Sequence, residues 1–158
     1  MRMRLATWFT VSLLGVLCAG GSQAQGLFGP SLAGAWTVNV NSPEIGSFNI
    51  GMVFIGDGNV ISTHDPIAIP DVYESAGIGR WERTGPGTYA VTVIWVLSNV
   101  KGEQIGSATY SAAISVDDKA TSLTGRERAE FRDKKGAVFF AGSATLRGQR
   151  IQVVRVEN

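Results

Sequence analysis

Residues 88–116 read Thr-Tyr-Ala-Val-Thr-Val-Ile-Trp-Val-Leu-Ser, then Asn-Val-Lys-Gly-Glu, then Gln-Ile-Gly-Ser-Ala-Thr-Tyr-Ser-Ala-Ala-Ile-Ser-Val. Two runs rich in β-branched and aromatic residues flank a turn at Lys101-Gly102, which predicts antiparallel strands over 88–98 and 104–116. Side chains alternate across a strand, so Tyr89, Val91, Val93, Trp95 and Leu97 share one face of the first run. In the second, Ser107, Thr109, Ser111, Ala113 and Ser115 alternate with Ala108, Tyr110, Ala112 and Ile114.

The same grammar extends in both directions. Upstream, Gly34–Val40 alternates Trp36, Val38 and Val40 with polar residues, and the next strand places Phe48, Ile50, Met52 and Phe54 on one face. Gly56-Asp57-Gly58-Asn59 is a hairpin turn leading into a strand over Val60–Thr63. Residues 65–77, with Pro66 and Pro70, form the longest loop, a candidate lid. Strands then follow over Ile78–Arg83, Thr121–Arg132, Ala137–Thr145 and a final Arg150–Val156, separated by Gly- and Asp-containing turns. No stretch sustains the three-and-four spacing of an amphipathic helix. The expected fold is all-β, an antiparallel up-and-down barrel of eight or nine strands with little helix; closure removes exposed sheet edges.

The first 24 residues have a basic start at Arg2 and Arg4, an apolar run from Leu5 to Ala19, and the exit Ser22-Gln23-Ala24. That layout predicts a signal peptide cleaved near Ala24 and an exported, periplasmic or extracellular protein. The apolar run is too short for a stable membrane anchor, which needs about 20 residues. Residues 25–31 read as a flexible leader and 32–158 as one barrel domain. The chain's only cysteine, Cys18, leaves with the signal, so no disulfide staples the mature fold. Without Arg2 and Arg4, 12 Lys plus Arg face 13 Asp plus Glu, a balance that offers no footprint for nucleic acid.

An inward aromatic face leaves a small barrel either filled or just wide enough for one ligand. Phe54, Trp81, Tyr89, Val93 and Trp95 are the apolar lining candidates, with Ser111 of the hydroxyl series expected to orient a ligand in the lumen. Glu127 breaks an alternation in which Arg126, Arg128, Glu130 and Arg132 face solvent. It is therefore expected inside, as a proton-transfer group or as the partner of an arginine such as Arg80 or Arg150. The apolar residues set outside, Ala90, Ile94 and Val96 with Ala108, Tyr110, Ala112 and Ile114, predict a homo-oligomer through strands 88–98 and 104–116. His64, the single histidine, reads as a surface residue at a strand end. No metal-ligand set, phosphate loop or nucleophile elbow occurs, so no cofactor is expected.

Gly34-Ala35-Trp36 resembles the opening signature of lipocalins, a glycine and a tryptophan two apart at the start of the first barrel strand. The resemblance implies that Trp36 plugs the closed end and that a basic residue near the chain end, Arg150 or Arg155, packs across it. The family's second motif is missing between Thr88 and Ser98, and no helical pattern follows the last strand. In layout the chain is also similar to the allene oxide cyclase and dirigent barrels, and to exported bacterial lipocalin-like barrels. The leading expectation is an exported barrel that binds a small apolar or amphipathic ligand in its lumen. A cofactor-independent cyclase or isomerase using Glu127 or Tyr89, and a structural or partner-binding envelope protein, are the alternatives.

Overall fold

In a computed structural model, residues 29–64 and 71–156 are described. The expected signal peptide, residues 25–28 of the leader and positions 65–70 of the long loop lie outside the described residues. Nine strands occur among the described residues: β1 (Gly34–Ser42), β2 (Gly46–Phe54), β3 (Asn59–His64), β4 (Tyr73–Glu74), β5 (Gly77–Gly85), β6 (Thr88–Ser98), β7 (Gln104–Val116), β8 (Ser122–Asp133) and β9 (Val138–Arg150). All pairings are antiparallel. The order β6-β5-β3-β2-β1-β9-β8-β7 closes through β6 and β7 into an eight-stranded barrel, with β4 as an extra strand on β6. No helix occurs among the described residues.

The inward faces form one core, with Trp36, Val38, Val40, Met52, Phe54, Tyr89, Val93, Trp95, Leu97, Leu123, Phe131 and Leu146 all buried. Where β6 brings large residues inward, β7 answers with small ones: Trp95 pairs with Ala108 and Val91 with Ala112. This inverts the expected face of β7. Gly106, Ala108, Tyr110, Ala112, Ile114 and Val116 point in, whereas Ser107, Thr109, Ser111, Ala113 and Ser115 point out. Hydroxyls outside stay solvated at no cost, while a lumen lined with them would need a partner for each. The volume left by Ala108 opposite Trp95 and by Ala112 opposite Val91 settles the choice.

Two other expectations are corrected. The segment Arg150–Val156 is not a strand: β9 runs unbroken to Arg150, pairing with both β8 and β1, and residues 151–156 are exposed. Gly148 looks like a turn in the sequence, yet its role is close approach. A Cβ there would stand 2.8 Å from Leu123 Cγ and 3.0 Å from Val38 Cγ2. The long loop contains β4, which continues the line of β5 along β6 after a break at Ser75-Ala76. At that break the Ser75 N–H donates to the Val96 carbonyl at 3.0 Å, and the Val96 N–H donates to Ser75 Oγ at 3.0 Å. The hydroxyl stands in for the carbonyl the ladder would otherwise use. Residues 29–33 run along the end of the barrel. Tyr89 donates to the Pro30 carbonyl and accepts from the Leu32 N–H, and Trp36 Nε1 donates to the Leu32 carbonyl at 2.9 Å.

These contacts close one end of the barrel. The Arg150 guanidinium lies over Trp36 and donates to the carbonyls of Ser31, Ala33 and Ala120. Arg155 sits in the exposed tail. Gly34, at φ 133°, belongs to the same device, because a Cβ there would run into Arg150 Nη1.

Candidate functional site

With the Trp36 end shut, the remaining end is the one where β1 meets β2, β3 approaches β5, β6 meets β7 and β8 meets β9. Alternation on these strands brings inward Val40 and Ser42 of β1, Phe48 and Ile50 of β2, Ser62 of β3, Val93 and Trp95 of β6, Tyr110 of β7, Glu127 of β8, and Phe140 and Gly142 of β9. They surround a cup with two adjoining cavities of about 20 and 10 Å³ that share Val40, Phe48, Tyr110 and Glu127. One ordered water needs roughly 10–15 Å³. The lumen is therefore largely filled, and the free space in each cavity is about that of one water molecule.

One wall of the cup is aromatic. Trp95, Tyr110, Phe131 and Phe140 meet edge to face in sequence, with centroids 5.9, 6.0 and 5.1 Å apart, the arrangement that ring quadrupoles favour. Among the described residues, the charged side chains near it are carboxylates. Tyr110 Oη donates to Glu74 Oε1 at 2.9 Å, which ties β4 to the lumen. Burial, followed by the Glu74 charge and hydrogen bond and then the Glu127 charge, pushes the Tyr110 phenol well above its ordinary range. At the rim, Ser42 Oγ donates to Glu44 Oε2 at 2.7 Å and holds the Glu44 carboxyl below its usual value. Gly142 leaves space for this carboxylate, since a Cβ there would stand 3.3 Å from Oε2. Ser62 is 1 % exposed, and its hydroxyl has no hydrogen-bond partner among the described residues.

The expected site residues divide into three groups. Val93, Trp95 and Glu127 line the cup. Phe54, Trp81 and Tyr89 pack together at the closed end, with centroids 6.3 and 5.5 Å apart. There the Tyr89 hydroxyl is occupied by the leader, which removes it as a proton carrier in the lumen. Ser111 is on the outer wall and exposed, so it cannot orient a ligand inside. Of the two suggested arginines, Arg80 donates to Asn59 and Arg150 serves the closed end. The backbone of His64 ends β3 opposite Ile50; its side chain is outside the described part.

Sequence reasoning missed Ser62, Glu74 and Tyr110. Ser62 carries a signal, since it follows Val60 with inward parity. Glu74 carries none, because the loop hides its partner. No group of three or more His, Cys, Asp or Glu residues among those described could hold a metal ion. A larger groove of about 550 Å³ runs between residues 29–33 and the β7–β8 turn, but the Arg150 donors there are already spent on backbone carbonyls.

Comparison with known protein families, with curated proteins and with solved structures finds no match to this chain.

Proposed function

We propose that this chain is an exported barrel that binds a small amphipathic molecule at its open end, seating a polar head in the cup and leaving the apolar part at the mouth. The reading is carried by Ser62, a buried hydroxyl without a partner among the described residues that faces a cavity walled by aromatic rings. Such a group costs about 1–3 kcal/mol, a cost that a ligand supplying the missing bond offsets. The basic, apolar and small-residue order of residues 1–24 supports export. Trp36, Gly34 and Arg150 at the shut end support a lipocalin-like relationship. The cavity volume supports partial insertion rather than a ligand enclosed by the whole lumen. An isomerase remains the alternative on Glu127 alone. The reading is tested with the mature protein and a single-chain amphiphile below its micelle concentration, following Trp95 fluorescence. Saturation at one molecule per chain is expected, and failure of every head-group type to bind refutes it.

We also infer that a second copy of the chain covers one outer face. The apolar exterior lies on β6 as expected but not on β7. It runs the other way, through Ile94, Ile78, Ile61 and Val53, which are direct cross-strand partners on four adjacent strands. Ile78 is 68 % and Ile94 51 % exposed, and Ile55 and Val96 extend the row at its ends. A two-fold axis along this row sets each side chain against its own copy, with Ile55 over Gly51 and Val96 over Thr92. Six half-exposed side chains, at roughly 80 Å² each on the transfer scale, supply more than half of the about 800 Å² per partner in a standard interface. Arg126, Arg128 and Arg132 point outward on β8, which opposes insertion of the whole barrel into a bilayer.

A further inference from the structure

We propose that the outer wall of β2, β1, β9 and β8 carries a second binding site, separate from the lumen, for an acidic oligosaccharide whose carboxylate sits on Arg147. A groove of about 460 Å³ opens there, within the roughly 300–1,000 Å³ of ligand pockets. The strand register builds it from two neighbouring rungs of outward side chains. In the first, Asn49, Asn39, Arg147 and Thr124 are direct cross-strand partners on the four strands. In the second, Thr37, Gln149 and Ser122 follow in line, and Gly51 beside Thr37 adds no side chain. With strands about 4.8 Å apart and alternate residues about 6.8 Å apart, the two rungs cover an elongated strip of roughly 14 by 7 Å.

Arg147 is the one charged residue lining this groove among those described. It is exposed and makes no hydrogen bond or ion pair among the described residues, whereas Arg128 and Arg132 are both paired with Glu130. The carboxylate nearest to Ser122 in sequence, Asp117, is occupied inside its own turn, where it accepts from the Thr121 and Ser122 N–H groups at 2.7 Å each. An arginine fork takes a carboxylate through two parallel hydrogen bonds. One rung further along the same face, Asn41, Thr145 and Arg126 are cross-strand partners, which puts Arg126 diagonally beside Arg147 at about 7–8 Å. A chain of acidic sugars meets a second cation there.

The neutral side chains suit sugar hydroxyls. Asn39 Nδ2 donates to Asn49 Oδ1 at 3.1 Å and to Ser47 Oγ at 3.0 Å, so this amide pair is fixed before a ligand arrives. The Asn49 amide nitrogen makes no bond among the described residues and remains a donor. Thr37, Thr124 and Gln149 add groups that both donate and accept, as a hydroxyl does. Across the three rungs no apolar or aromatic side chain points outward. An acyl chain or an apolar peptide finds nothing there to bury against, and a nucleic-acid base finds no ring to stack on. A phosphate ester brings three acceptor oxygens to a groove with one cation.

The test uses the mature protein and three probes at pH 7: hexagalacturonate, its methyl ester and linear hexaphosphate, each followed through backbone amide NMR shifts. Hexagalacturonate is expected to bind with a dissociation constant on the order of 0.1–1 mM, to shift the amides of residues 37–39, 122–124 and 147–149 most, and to weaken at raised salt. The ester, neutral but otherwise alike, should bind about tenfold more weakly, the loss of a charge-assisted fork. Arg147→Gln should lower hexagalacturonate affinity about tenfold and leave the ester within about twofold, while Asn49→Ala should weaken both about threefold. Arg80→Gln, the same charge change on β5 across the barrel, should alter neither. If Arg147→Gln does not fold, the difference between acid and ester and the position of the shifts in the wild type decide. Equal affinity for acid and ester, shifts centred elsewhere, hexaphosphate binding more tightly than hexagalacturonate, or no hexagalacturonate binding at about 10 mM each overturns the proposal. None of these outcomes touches the lumen reading, whose probes are amphiphiles.

Discussion

The Arg150 guanidinium lies flat over the Trp36 indole, 4.4 Å from the ring centroid, and joins the first barrel strand to the last. Its N–H groups reach three carbonyls on two separate segments, Ser31 and Ala33 before β1 and Ala120 before β8. One side chain thus ties the leader, the β7–β8 turn and the barrel floor together. Burial lowers the Arg150 pKa, and Asp117 counters this, but an arginine stays charged throughout the physiological range.

Replacing this fork removes several contacts at once. Arg150→Ala is expected to destabilise the barrel by about 3 kcal/mol, summing a cation–π contact and charged hydrogen bonds. Arg150→Lys should recover less than half, because a single ammonium cannot span three carbonyls and stack on the indole. Urea unfolding of both variants decides, and a lysine variant as stable as the parent contradicts the geometry.

Tyr110 sets the alkaline limit. Its pKa is raised by burial and by the Glu74 and Glu127 charges, so the folded chain keeps the phenol protonated where an unfolded tyrosine ionises, near pH 10. The resulting stability is whole below about pH 10 and is lost as the pH climbs from there through the folded-state value. One such group contributes a slope of about 1.4 kcal/mol per pH unit in that window. Tyr110→Phe should flatten the fall by that amount while losing the bond to Glu74 at neutral pH. Urea midpoints at pH 9, 10 and 11 for both proteins provide the comparison.

Alternation alone made the strands and their turns legible, and β6 and β7 fall where the pattern of residues 88–116 places them. It does not say which face of β7 points inward, because Ala-Tyr-Ala-Ile and Ser-Thr-Ser-Ser are both plausible walls until a neighbour's size is known. Depth along the barrel was equally hidden. Phe54, Trp81 and Tyr89 read as inward aromatics alongside Val93 and Trp95, yet the stagger of the strands sends the first three to the closed end. Glu127 stood out because it broke a period. Glu74 could not, since its approach to Tyr110 depends on a short strand within a loop.

Gly79 is a backbone contact rather than a turn. A Cβ there would collide with the Thr92 carbonyl of the paired strand, a neighbour that cannot rotate away. Gly79→Ala should cost at least about 3 kcal/mol. Gly46→Ala meets no atoms and suffers only its φ of 86°, a cost of about 1 kcal/mol. Thermal unfolding of the pair should separate them clearly, and equal midpoints would mean that β5 and β6 are not this close.

The isoleucine row predicts an oligomer that one charge disrupts. Ile78→Arg is expected to convert a dimer into a monomer at micromolar concentration without lowering the unfolding temperature of the monomer, because Ile78 faces outward on β5. Ser111→Arg, on the polar outer wall of β7, should leave the dimer intact. Light scattering after size exclusion reads both, and a wild type that elutes and scatters as a monomer rejects the interface.

Ser62 separates stability from binding. Its hydroxyl is buried without a partner among the described residues, so Ser62→Ala removes a desolvation cost while changing the volume by a single atom. The variant should gain about 1 kcal/mol in stability. The same change removes a hydrogen-bonding group from the cup, so affinity for a single-chain amphiphile that binds there should fall by about three- to tenfold, consistent with one hydrogen bond. A purely structural serine would lose stability or leave both quantities alone. Opposite movement of the unfolding midpoint and the amphiphile affinity is expected only if the hydroxyl is kept for something that enters the cup.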